Sequence, residues 1–256
     1  IVKLNHIFIN LIFIFKYYFN LDFTFLLKKY FNNICKNKKY DVWHFHSVNY
    51  KTLLYIKPLK DIGEKIFLTF QGADIQKDVS IKYGYRFDKK YEKLLSKNLK
   101  YVDKVFTISK DIERELDFFS FPKNKISHIP NSVELKKINK IAISKKKDEK
   151  LRIITVARYY EKKKGLDMIE EVSKEFIKNN YNFEWTLAGR NSNQLMNKNF
   201  IKQNIKYFNL VDEIKNIDEI YFPHSKLLKL YKDHDVYVNL ARVESFGITI
   251  IEAIAS

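Results

Sequence analysis

The chain has one cysteine, Cys35, so it can build no internal disulfide framework, which fits a reducing compartment. It also has no apolar run long enough to span a bilayer. The stretch from Ile7 to Phe15 falls well short of the roughly 20 residues required, and Lys16 and Asp22 interrupt any extension. No small-residue cleavage site follows it, so it does not read as a signal peptide. It is expected to be a core helix or strand of a first domain, with an in-plane membrane contact as the alternative. No internal repeat and no nucleic-acid-binding fold motif is visible.

Acidic residues are the other shortage. Thirty Asp and Glu against 47 Lys and Arg leave a net charge of +17. Such a charge invites a nucleic-acid reading. Apart from Lys145 to Lys147, however, the lysines are scattered rather than gathered in a stripe. Their abundance alongside Asn, Ile, Phe and Tyr is what an AT-rich coding sequence would produce. A basic surface does suit anionic lipid headgroups, where each juxtamembrane Lys or Arg contributes roughly 1 kcal/mol. At 256 residues and 46% hydrophobic, the chain has an ample core for one large or two medium domains.

What is present is an alternation of strands and helices. Asp41–Phe45, Lys65–Phe70, Lys104–Ile108 and Ile126–Ile129 read as strands, with helical patterns near 23–37, 51–59, 86–98 and 109–118 and Ser109 as an N-cap. Periodicity weakens from Lys136 to Lys150, where a linker is expected. The alternation then restarts: strand 151–157, helix 165–178, strand 183–188, a helical segment near 194–206, a short strand near 219–222, helix 225–233 and strand 235–239. This predicts parallel sheets covered on both faces.

Three features carry chemistry. The segment Glu244-Ser-Phe-Gly-Ile-Thr-Ile-Ile-Glu252 reads as a loop carboxylate, a tight Phe246-Gly247 turn and an apolar helix start. The first-turn N–H groups of such a helix form an anion site, and the carboxylates suit hydroxyl-rich groups; solvated helix carboxylates are the plainer reading. Upstream, the β-branched strand Leu151 to Ala157 runs into Arg158, with Lys164-Gly165 six positions on. Cations at the C-terminal end of a parallel strand suit a diphosphate, although Lys162 to Lys164 also fits a solvated run. His44 and His46 share one face of a strand. A metal site, a cleft contact and packing all remain open for them, and no Asp, Glu or Cys partner with metal-site spacing accompanies them.

The chain resembles retaining glycosyltransferases of family 4, the glycosyl transferases group 1, in motifs that follow the family's order. These are Asp41-Val-Trp-His-Phe-His46, Phe70-Gln-Gly-Ala-Asp74, Asp103-Lys-Val-Phe-Thr-Ile-Ser109, Ile129-Pro-Asn-Ser-Val133, Arg158 with Lys164-Gly165, and Asp235-Val-Tyr-Val-Asn239 followed by Glu244 to Glu252. The resemblance implies the GT-B architecture of two facing Rossmann-like α/β domains with parallel sheets. They would span 1–135 on the acceptor side and 151–256 on the nucleotide-sugar side, joined by a 136–150 linker. Ile1 is not Met, and the family continues past the position of Ser256, so an internal fragment with both domains incomplete is expected. The first strand and the usual Gly-rich loop after it would be missing.

The resemblance also implies roles. Arg158 and Lys164 would bind the donor diphosphate and stabilise the leaving group, with Glu244 on the donor sugar; these three are the implied catalytic residues. Phe246, Gly247, Ile248 and Thr249 would share the donor site, and Glu252 would hold the ribose. Gln71, Gly72, Asp74 and Asn131 would line the acceptor side and cleft. Gln71 stands where the family often has His, Ala157 and Ser132 where it usually has Gly. No metal or other cofactor is expected. The implied partners are a nucleotide sugar and a glycan or glycolipid acceptor, in cell-envelope polysaccharide biosynthesis, with cytoplasmic localisation and peripheral contact with the anionic inner face of the plasma membrane. No nucleic acid is expected. A sugar-nucleotide epimerase on the same fold is one alternative, and a non-catalytic basic module binding membrane or RNA is another.

Overall fold

The computed structural model describes residues 6–19, 21–142, 148–158, 162–214 and 223–256. They form two compact units, Ile1–Pro130 and Asn131–Ser256. In the first, α1 (His6–Phe19) and α2 (Thr24–Asn37) precede β1 (Trp43–His46). Then come α3 (Tyr50–Asp61), β2 (Ile66–Phe70), α4 (Lys89–Leu99), β3 (Lys104–Thr107), α5 (Lys110–Phe118) and β4 (Ile126–His128). The strands form a parallel sheet in the order β1-β2-β3-β4.

Helix starts in this unit follow from short polar caps. Asn49 accepts from Thr52 N at 3.1 Å ahead of α3, and Asp88 accepts from Lys90 N at 2.8 Å ahead of α4. Ser109, the expected cap, accepts from Ile112 N at 3.3 Å ahead of α5. Each satisfies a donor that the helix itself leaves unpaired. Phe31, Leu53, Ile56, Leu59, Ile66, Leu68, Phe70, Leu95, Ile112 and Leu116 are almost wholly buried between the helices and the sheet. The buried Arg86 guanidinium donates to Glu92 at 3.0 Å, to Glu115 at 2.5 Å and to the Ile75 carbonyl at 3.0 Å, and lies over Phe118 and Phe119. Cys35 is half-buried, and desolvation, followed by the nearby Glu64, pushes its thiol up to about 11, which makes it inert at neutral pH.

The second unit opens with α6 (Leu135–Asn139). It continues with β5 (Leu151–Val156), α7 (Met168–Lys178), β6 (Phe183–Ala188), α8 (Asn199–Gln203), β7 (Phe208–Val211), α9 (Ser225–Asp233), β8 (Val236–Tyr237) and α10 (Ile248–Ala255). Its parallel sheet runs β7-β6-β5-β8. Trp185 donates its indole N–H to Thr155 Oγ1 at 3.1 Å, and that hydroxyl donates to the Val238 carbonyl at 2.8 Å. The buried polar groups thus tie β6, β5 and the end of β8 together.

The second unit departs from the sequence reading at four places. Residues 135–139, mostly inside the expected linker, are helical, and Ile138 is fully buried with Ile154, Leu227 and Leu228. By contacts, Asn131 and the residues after it group with the second unit, where Val133, Ile138 and Ile141 pack on the second core. The helical segment near 194–206 breaks into 3-10 turns around α8. β7 was not anticipated, since four residues with Asn209 in them show too little alternation to read, and the strand expected near 219–222 lies outside the described residues. β8 is shorter than the 235–239 expected. No helix among the described residues is long and apolar enough to cross a membrane.

The loop after β2 is fastened by one carboxylate. Asp74 is 2% exposed and accepts from Val48 N at 2.9 Å, Gln71 N at 2.9 Å and Gly72 N at 2.8 Å. Burial raises its pKa, against the opposing pull of those N–H groups. Asp74→Ala would orphan these buried donors and is expected to lower the unfolding free energy by about 2–4 kcal/mol in a urea titration. A loss below about 0.5 kcal/mol would mean that the loop is held by something else.

Candidate functional site

In the second sheet the chain starts at β5, moves one way through β6 to β7, and then crosses to the other side for β8. Such a reversal leaves a crevice outside the carboxyl ends of the strands, where doubly wound sheets bind ligands. A cavity of about 710 Å³ lies there. Its wall is built from residues at the strand ends: Val156, which closes β5, then Ala157 and Arg158, Gly189 and Arg190 after β6, and Asp212 and Glu213 after β7. Lys163 and Lys164 come from the loop before α7, and Ile248, Thr249 and Glu252 from α10.

Backbone constraints place these groups. Gly189 takes φ +135°, and a Cβ there would lie 2.0 Å from the Ala157 carbonyl oxygen, so only glycine lets the β5 and β6 exits run together. Gly165 takes φ +65°, and a Cβ there would lie 1.8 Å from the Leu240 carbonyl oxygen. The loop carrying Lys164 is thereby pressed against the loop that leads to Glu244. Arg242 clamps the same two loops: its N–H donates to the Lys163 carbonyl at 2.7 Å, and its guanidinium donates to both Asp167 oxygens at 2.7 and 2.5 Å. Across the join, Lys164 Nζ meets Glu244 Oε2 at 3.0 Å.

α10 begins at Gly247, which is left-handed at φ +80°. The N–H groups of Ile250 and Ile251 turn back to the Gly247 carbonyl, whereas Ile248 and Thr249 precede those first helical bonds and line the cavity. The helix therefore presents its positive end to the same space as Arg158, Lys163 and Lys164. Thr249 Oγ1 accepts from Tyr237 OH at 2.8 Å, which fixes its rotamer. Glu252, one turn further, is 4% exposed and accepts from Tyr231 OH at 3.1 Å. Burial raises its pKa, and the Tyr231 hydrogen bond pulls the other way. Chemically, four cations (Arg158, Lys163, Lys164 and Arg190) and a helix N-terminus suit a polyanion, and a buried carboxylate suits a hydroxyl pair.

Of the residues singled out in the sequence, Arg158, Lys164, Ile248, Thr249 and Glu252 line this cavity. Glu244 adjoins it through Lys164, Gly247 is buried at the turn, and Phe246 is half-buried beside it. Gln71, Gly72 and Asp74 belong to the first unit, and Asn131 opens the second. Gln71 is exposed just beyond β2, while the Asp74 carboxylate is taken up by backbone N–H groups. His44 packs its ring 4.1 Å from His46 and shares a 2.8 Å hydrogen bond with Thr69 Oγ1, and burial lowers its pKa. Sequence reasoning missed Arg190, Asp212, Glu213 and the Arg242–Asp167 clamp. Arg190 had a signal: Gly189-Arg190 follows β6 just as Ala157-Arg158 follows β5. Asp212 had none, because its strand was unseen.

Arg242→Ala tests the clamp. An exposed ion pair is worth about 1 kcal/mol at most, so the melting temperature is expected to stay within a few degrees. Binding of inorganic pyrophosphate, titrated by calorimetry, is expected to weaken about five-fold or more as Lys164 loses its fixed position. Unchanged pyrophosphate affinity would show that the clamp does not position Lys164.

Comparison with known proteins agrees with this geometry. The family profile described as Glycosyltransferase Family 4 matches residues 4–137, and that described as Glycosyl transferases group 1 matches residues 136–256. Among solved structures, an α,α-trehalose-phosphate synthase (UDP-forming) from Burkholderia vietnamiensis superposes with a TM-score of 0.65 at 10% identity, covering 91% of this chain and 59% of that one. Sucrose-phosphate synthase from Thermosynechococcus elongatus gives 0.63 at 14%, covering 89% and 57%. Anabaena Alr3699/HepE in complex with UDP and glucose gives 0.60 at 12%, covering 88% and 59%. The chain spans about three fifths of the length of these structures. No curated protein matches at the sequence level. The chain belongs to glycosyltransferase family 4, and its two units are the Rossmann-like α/β units of the GT-B fold.

Proposed function

We propose that this chain carries the donor-binding machinery of a glycosyltransferase that moves a sugar from a nucleotide-diphosphate sugar to a glycan or lipid-linked acceptor with retention of configuration. The observation that supports this most is one cavity combining Arg158, Lys163, Lys164 and the N-terminus of α10 with the buried Glu252. A diphosphate is the ligand that uses all of the positive groups at once. In this reading Arg158 and Lys164 hold the diphosphate and offset the charge that develops as the glycosidic oxygen leaves. The N–H groups of Ile248 and Thr249 share that task, and Glu252 accepts from the ribose hydroxyls. Glu244, released from Lys164 by the arriving phosphate, turns to the hydroxyls of the donor sugar. These groups balance the leaving-group charge, so the reading calls on no divalent ion or other cofactor.

The structure of Anabaena Alr3699/HepE, of related fold, is in complex with UDP and glucose, which supports a nucleotide sugar as donor. Retention rests on the family. The acceptor, on this reading, is met in cell-envelope polysaccharide synthesis, from the cytoplasm at the inner face of the plasma membrane.

Calorimetry with UDP and GDP tests the donor site. Wild type is expected to bind one of them with a micromolar dissociation constant, and Arg158→Ala to weaken it about ten-fold or more, as loss of a charge-assisted phosphate contact should. If the folded wild type binds neither, the proposal fails. Glu252→Gln separates ribose contact from structure. A carboxylate whose folded pKa is raised adds stability below its unfolded pKa and loses it as pH rises through the folded one. At neutral pH the amide, which still accepts from Tyr231, is therefore expected to leave the melting temperature unchanged or about 2–4 °C higher, while nucleotide affinity falls about ten-fold. A parallel loss of stability and affinity would make Glu252 a structural residue.

A further inference from the structure

We infer that the donor cavity selects guanine, with the Asp212 carboxylate on the N1–H and 2-amino edge and Arg190 on the O6 and N7 edge. The inference rests on the donor-site reading above and adds to it the identity of the base.

The sheet order β7-β6-β5-β8 sorts the groups of the cavity by chemistry. Arg158, Lys163 and Lys164 follow β5, and with the first turn of α10 they suit the diphosphate. Arg190 leaves β6, and Asp212 and Glu213 leave β7. Neighbouring strands stand about 4.8 Å apart, so the β7 exit lies about 10 Å from the β5 exit. That separation suits the base of a nucleotide whose phosphates sit at β5. Ala188 pairs with Val211, and Gly189 N donates to the Val211 carbonyl at 2.9 Å. Arg190 and Asp212 thus emerge from adjacent, paired strand ends.

Asp212 carries the argument. It lines the cavity, and its Oδ1 is buried with no hydrogen-bond partner among the described residues. A buried acceptor left without a donor is costly, and here a ligand can supply the donor. A carboxylate accepts and does not donate. Guanine places two donors, N1–H and the 2-amino group, side by side on one edge, so it meets both oxygens of one carboxylate, as the fork of an arginine does. Uracil has a single N–H between two carbonyls, which would face the carboxylates of Asp212 and Glu213. Adenine and cytosine set an acceptor beside their amino group. On guanine's next edge, O6 and N7 are both acceptors, and a guanidinium binds them as a pair. A carboxylate beside an arginine is therefore the complement of guanine and of no other common base.

The experiment is calorimetry on the full chain with GDP, UDP, inosine diphosphate, xanthosine diphosphate and inorganic pyrophosphate. Wild type is expected to bind GDP about ten-fold or more tighter than inosine diphosphate, which lacks the 2-amino group, and about a hundred-fold tighter than UDP. Asp212→Asn presents one donor and one acceptor. It is expected to weaken GDP about ten-fold and to tighten xanthosine diphosphate, whose C2 carbonyl replaces the amino group, by a similar factor. Pyrophosphate affinity should be unchanged, which reports an intact fold and phosphate site. Arg190→Ala is expected to weaken GDP and inosine diphosphate alike, about five-fold or more, and pyrophosphate less than about two-fold. The proposal is overturned if wild type binds GDP and inosine diphosphate equally, or if Asp212→Asn leaves the order of the nucleotides unchanged. It is also overturned if Arg190→Ala weakens pyrophosphate as much as GDP. Tight UDP binding that depends on Arg158 would sink the guanine assignment and leave the donor site standing. Folded wild type that binds no nucleotide and no pyrophosphate would sink both.

Discussion

The candidate site depends on one contact between two loops, the 3.0 Å ion pair of Lys164 and Glu244. One loop has only the 3-10 turn Lys162–Lys164, and no strand or α-helix places either loop alone. Gly165 lets them approach to backbone contact, Arg242 ties them by four hydrogen bonds, and the pair closes the join. A half-buried Lys–Glu pair is well suited to exchange. Its Coulomb energy is moderate at the dielectric of a partly wet site, so an arriving diphosphate with greater charge can take the lysine and free the carboxylate.

The sheet provides the frame for that exchange. The reversal at β5 and β8 opens the crevice, and the small residues Ala157 and Gly189 let two strands end close together, each followed by an arginine. The burial of Glu252 and its Tyr231 contact set a carboxylate into the same wall without exposing it to bulk water. Two opposite demands are met in one cavity: positive groups gathered for a polyanion, and a carboxylate kept near them for hydroxyls.

Much of this was legible in the sequence because its signals are local. Strands β1 to β6 are short apolar runs that end in turn residues, Ser109 announces α5, and the Gly247 turn with its apolar sequel announces α10. The order of motifs made the family visible. What was not legible depends on distant partners. Ile138 looks like part of a charged linker until Ile154 and Leu227 are known to receive it. Asp74 looks like a cleft residue because its sequence does not show that three backbone N–H groups converge on it. The pairing of Arg242 with Asp167 spans 75 positions and has no periodicity to betray it. The outward stripe of α1 has the same helical pattern as a core face, and only packing shows which side was left uncovered.

The most direct test of the exchange is the affinity of a nucleoside diphosphate, without its sugar, for Lys164→Ala and for Glu244→Gln. The account expects opposite signs. Removing the lysine should weaken binding about ten-fold or more, while removing the carboxylate's charge should leave binding unchanged or tighten it, since Lys164 no longer has to be released. If both substitutions weaken binding equally, the ion pair is a fixed strut and the exchange does not occur.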